Sequence, residues 1–93
     1  MTGASLREKT KKYERMLSEA VEHTEIKTKD ENAEEFRVMA ESYLSDGRHF
    51  KNEDDYVNAL AAFSYGHAWL DAGMRMDFYE TDRYDLFTVE EEK

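Results

Sequence analysis

The stretch from Tyr56 to Leu70 is mainly apolar, interrupted only by Asn58, Ser64 and His67. Coiled as a helix it is apolar nearly all round. Tyr56, Leu60, Phe63 and Leu70 mark one stripe, Ala59, Ala62, Gly66, Trp69 and Gly73 a second, and Val57, Ala61 and Ala68 a third. A helix of a small bundle needs only one wide apolar face. The surplus must be covered, either by the chain's own tail through Leu86, Phe87 and Val89 or by another chain. The stretch falls short of the roughly 20 apolar residues that span a bilayer, so no membrane partner is expected.

Two further segments carry a helical period. Between Leu6 and Ile26 the apolar residues Leu6, Tyr13, Met16, Leu17, Ala20 and Val21 recur at spacings of three and four. Ser5 followed by Glu8 has capping-box spacing, which predicts a helix over 5–26. Asn32 and Glu35 repeat that spacing ahead of Phe36, Met39, Ala40, Tyr43, Leu44 and Phe50, which predicts a second helix over 32–51 with a weak point at Gly47. After the polar turn Asn52–Asp54 the third helix is expected over 55–76. The chain contains no proline to kink any of them. Short connections make neighbouring helices antiparallel. The expected fold is therefore all-α, one domain over 1–93: an antiparallel up-and-down three-helix bundle with an extended tail from residue 77.

The 93-residue length leaves room for one modest core, and twelve aromatic residues supply the area to collapse it. Cysteine is absent, which excludes disulfides and thiolate metal sites and fits a cytoplasmic location. No signal peptide is expected ahead of the first helix. Residues 1–29 carry seven Lys/Arg against five Asp/Glu, and residues 30–93 carry six against seventeen, giving +2 and −11. So acidic a body repels phosphate backbones, which argues against nucleic acid as a partner. The basic group Lys9, Lys11, Lys12 and Arg15 alternates with Glu8, Glu14 and Glu19, as an ordinary salt-bridged helix face does.

Motifs of specific chemistry are missing: no glycine-rich phosphate loop, no nucleophile elbow, no catalytic triad order. His67 and Asp71 lie at i and i+4, and Asp46 and His49 at i and i+3, spacings that set two metal ligands on one helix face. The paired Glu-x-x-His motifs of a di-iron bundle do not occur. Glu19, Glu22, Glu31, Glu34 and Glu35 resemble the acidic clusters with which helical nucleotide pyrophosphohydrolases hold magnesium, but 22 acidic residues in 93 generate such spacings by chance. No metal or cofactor is expected.

The run from Asp55 to Gly73, together with Ala40–Asp46 upstream and Asp85–Val89 downstream, resembles the hallmark of a family of short archaeal proteins known as domain of unknown function 357. The resemblance implies a spectrin-repeat-like bundle in an archaeal cytoplasm, and it brings no assigned activity. On the residues, the leading expectation is a non-enzymatic interaction module. Its third helix and tail would present Tyr65, Gly66, Trp69, Gly73, Leu86 and Phe87 to a protein partner or a second copy of the chain. The alternative is a small-molecule or metal-dependent enzyme or enzyme subunit that uses His67, Asp71, Asp46 and His49 at a cleft between helices 2 and 3.

Overall fold

The computed structural model describes residues 3–91. In chain order it contains α1 (Gly3–Glu22), β1 (Thr24–Ile26), α2 (Glu31–Asn52), α3 (Tyr56–Arg75), β2 (Tyr79–Thr81) and a 3₁₀ turn (Tyr84–Leu86). The fold is mostly helical, as the periodicity predicts, with a small two-stranded sheet that it does not predict.

The helices run up, down and up. Between α2 and α3 the contacts ascend in one helix while descending in the other: the Phe36 ring meets Trp69, Tyr43 stacks on Tyr65, and Gly47 abuts Phe63. Between α1 and α3 they ascend together, with the Thr10 hydroxyl on the Tyr56 carbonyl and Leu17 beside Gly66. Glycine permits the close approaches. A Cβ on Gly66 would lie 2.7 Å from Leu17 Cδ2, 3.0 Å from Tyr43 Cβ and 3.1 Å from the Ala40 carbonyl oxygen. A Cβ on Gly47 would fall on the Phe63 ring. Gly47, a weak point on propensity, is thus a helical residue chosen for packing, and α2 runs through it unbroken. Alanines Ala20, Ala33, Ala40 and Ala59 are fully buried between the helices, which keeps the axes close.

The structure differs from expectation in four places. The first helix ends at Glu22 rather than Ile26, because Thr24–Ile26 pairs antiparallel with Tyr79–Thr81 in the register Thr24↔Thr81, Glu25↔Glu80, Ile26↔Tyr79. Arg37 of α2 seals that end by donating to the carbonyls of Val21 (2.8 Å) and Thr24 (3.1 Å). Ser5 lies inside α1, which is already helical at Gly3, so it is not the cap. The cap of α2 is Asp30 rather than Asn32: its carboxylate accepts from the Asn32 N–H at 2.9 Å. The tail is not extended but folds back through β2 and the 3₁₀ turn.

Helices α2 and α3 both end in a Schellman motif with aspartate where glycine is usual. Asp54 (φ 61°) and Asp77 (φ 62°) take the left-handed conformation, which a short polar side chain tolerates better than most. The N–H of Asp55 reaches the Phe50 carbonyl, and that of Phe78 reaches Gly73, both at 2.9 Å. Asp55 then caps α3 by accepting from the Asn58 N–H at 3.2 Å.

Gly66→Ala is expected to destabilise the protein by about 1–3 kcal/mol, because overpacking against a backbone carbonyl and a Cβ cannot relax by rotamer change. That exceeds the ~1 kcal/mol gained in helix propensity. Chemical denaturation measures the difference, and a variant as stable as the parent would show that the α2–α3 approach is looser than described.

Candidate interaction surface on the third helix

Helix α3 distributes its surplus apolar surface over three sides, and two are covered. The first faces the core: Ala59, Ala62, Phe63, Gly66, Leu70, Gly73 and Met74 are buried. The second is covered by the tail. Leu86 enters the core, and Phe87 stacks on His67 with centroids 5.6 Å apart and planes 25° from parallel. Asp71 clasps Thr88, accepting from its N–H at 2.7 Å and its hydroxyl at 2.6 Å, while Arg75 donates to the same hydroxyl at 2.7 Å. Arg83 ties the tail to α1 through Glu19 at 3.3 Å, and His23 contacts Asp82 at 3.2 Å.

The third side is open. Val57, Ala61, Ser64, Tyr65 and Ala68 are exposed, and Ala72 is half-buried beside them. Tyr65 is 63% exposed and leans on the Tyr43 ring at 5.6 Å. Two shallow depressions meet at Tyr65 and Ala68, one continuing over Trp69 and Ala72, the other over Ala61 and Ser64. No Asp, Glu, Lys or Arg lies between Asp55 and Asp71, so this strip is uncharged on a protein in which 38% of residues are charged.

The residues singled out from the sequence therefore separate. Tyr65 and half-buried Trp69 stand at the surface, Phe87 is half-buried on His67, and Gly66, Gly73 and Leu86 are interior. A Cβ on Gly73 would collide with the Tyr79 ring, so this glycine serves packing. The open strip instead uses Val57, Ala61 and Ala68, the third stripe of the sequence pattern, extended by Ser64 and Ala72.

The metal spacings resolve into other contacts. His49 pairs with Glu53 at 3.3 Å and Asp46 is exposed, while Asp71 is engaged by Thr88. Among the described residues, no three His, Cys, Asp or Glu side chains converge to hold a metal ion. The α2–α3 interface is packed at Gly47–Phe63 and Gly66–Ala40 rather than open as a cleft. Glu19 is taken by Arg83, Glu22 borders a polar depression with His23, Glu25, Glu80, Thr81 and Asp82, and Glu31, Glu34 and Glu35 are exposed at the start of α2. Lys9, Lys11, Lys12 and Arg15 are exposed on α1. Glu14 is held by Arg48 (2.9 Å) and Lys51 (2.5 Å). Burial works to raise its pKa, but these two partners outweigh it and hold the carboxyl below its ordinary range. No helix among the described residues is long and apolar enough to cross a membrane.

Residues 12–79 match the family model described as a protein of unknown function (DUF357). The chain belongs to this family. Its fold is similar to the crystal structure of protein AF1782 from Archaeoglobus fulgidus, of the same family, with a TM-score of 0.74 and 27% identity over 87% of this chain and 99% of that one. No curated protein matches.

Within this DUF357 protein, half-buried His67 couples folding to pH. Its Nε2 is enclosed and lacks a hydrogen-bond partner. Burial pushes the ring's pKa below its ordinary 6.5, and the Leu86 backbone and Asp71 only partly oppose that. The folded chain thus binds this proton less readily than the unfolded chain does. Stability from this residue is fully present above pH 6.5 and is lost as the pH falls below it toward the folded-state value. Urea midpoints measured from pH 7.5 down to pH 5 should fall, and His67→Phe should flatten the slope. Equal slopes in the two proteins would rule the histidine out as its source.

Proposed function

We propose that this DUF357 protein is a protein-interaction module with no catalysis of its own, and that the open side of α3 is its docking surface. The observation that carries the reading is the uncharged strip from Val57 through Ala61, Ser64, Tyr65 and Ala68 to Ala72. The tail spends its apolar residues on other faces of the bundle and leaves this one open. Uncharged surface flanked by an exposed tyrosine and a tryptophan edge is the composition that protein interfaces favour at their centres. A cytoplasmic, archaeal setting accompanies the reading, supported by the lack of cysteine and by the archaeal source of the solved relative.

Ala68→Arg tests it. Ala68 is exposed, so the substitution should change folding stability by no more than about 0.5 kcal/mol. It plants a charged side chain at the junction of the two depressions. Proteins cross-linked to the parent in cell extract, including copies of itself, should be lost from the variant. Identical cross-linked sets would move the docking surface elsewhere.

A further inference from the structure

Resting on that reading, we propose that the occupant of the open side of α3 is a second copy of this chain, packed antiparallel across a twofold axis so that the Arg75 end of each helix meets the Glu53–Asp54 turn of the other. Three observations select a second copy.

The first is the charge at the two ends of the strip. Val57 and Arg75 stand eighteen positions apart on the same side of α3, a span of about 27 Å. Arg75 lies 3.8 Å from Asp71 and donates to Thr88, yet its side chain is 59% exposed, and it is the basic residue in the last turn. At the other end the α2–α3 turn exposes Glu53 and Asp54. An antiparallel pair brings each arginine to the partner's acidic turn, twice by symmetry. A parallel pair would set Arg75 against Arg75 and the acidic turns against each other.

The second is repulsion across the acidic face of α2. Each chain has a net charge of −9, so two copies approach only where acidic groups do not face one another. The outer side of α2 carries Glu34, Glu35, Glu41 and Asp46, all exposed, whereas α1 mixes Glu8 and Glu22 with Lys9, Lys11, Lys12 and Arg15. The strip on α3 contains none.

The third is shape. Twofold pairing about the middle of the strip sets Ser64 of one copy against Ala68 of the other, with Tyr65 lying alongside. Small side chains at the crossing let helix axes come within about 8 Å. The face is one helix wide, at the low end of interface sizes, so the dimer forms with modest affinity and dissociates on dilution.

Sedimentation equilibrium of the full chain from ~1 μM to ~1 mM tests the proposal. The average mass is expected to rise from 11.0 kDa toward twice that value, with Ala68→Arg monomeric throughout. Arg75→Glu should weaken the dimer about tenfold, since two exposed ion pairs become repulsive. Glu53→Lys combined with Asp54→Asn should do the same, asparagine being suited to the left-handed φ of residue 54. A mixture of the two charge variants should recover parental affinity, because both ends of the mixed dimer then carry opposite charges. Circular dichroism confirms that each variant is folded. Should Arg75→Glu unfold by losing its bond to Thr88, the Glu53→Lys/Asp54→Asn variant still tests the same contact. A parent monomeric at ~1 mM, or an Ala68→Arg protein that dimerises like the parent, would overturn the second copy as occupant. A mixture no tighter than its components would overturn the antiparallel pairing. A monomeric parent whose cross-links to a different protein vanish in Ala68→Arg would overturn this inference while leaving the docking surface on α3 intact.

Discussion

The structure depends on Tyr79 more than on any other side chain. It is 1% exposed, its ring lies where a Cβ on Gly73 would be, and its hydroxyl donates to the Ala33 carbonyl at 2.5 Å. Its backbone sets the register of β2 on Ile26. One residue therefore joins the end of α3, the start of α2 and the strand that follows α1. Burial pushes its phenol pKa up to about 12, so it stays a neutral donor at any physiological pH. A buried hydroxyl without a partner is costly, and the Ala33 carbonyl meets that requirement while locking the bundle's end.

From that anchor the tail's path follows. With β2 held on β1, the chain turns through Thr81–Arg83 and re-enters between α1 and α3, where Leu86 is buried and Thr88 is caught by Asp71 and Arg75. This is why α3 can be apolar on so much of its circumference in a chain this short. It faces α1 and α2 on one side and the tail on another. The His67–Asp71 spacing, which resembles a pair of metal ligands, serves this closure: His67 is a platform for Phe87 and Asp71 an acceptor for Thr88. What stays outside is a narrow strip of alanines around Tyr65, and its lack of charge separates it from the rest of a strongly acidic surface.

Three helices, their order and their antiparallel neighbours were legible in the sequence, because the apolar period of 3.6 and the short polar connections are local signals. Membership of the DUF357 family was legible too, in the run from Asp55 to Gly73. The helix ends were less so. Asp30 caps α2 with its carboxylate from a position two residues before Asn32, and the two left-handed aspartates end helices through backbone geometry that residue type only weakly encodes. The third stripe on α3 was visible as a pattern, but only the fold distinguishes it from the second, which is interior apart from half-buried Trp69.

By itself, then, the sequence determined an acidic helical domain with more apolar helix surface than a simple bundle can use. Only the tertiary structure decided where that surface goes. Strand pairing of Thr24–Ile26 with Tyr79–Thr81, the clasp of Thr88 by Asp71, and the seating of Gly66 against Leu17 are all contacts between separated parts of the chain. Such contacts leave no periodic trace in the residues that make them. Which of three apolar stripes remained open was settled by those contacts, since a stripe is exposed only when nothing elsewhere in the fold reaches it.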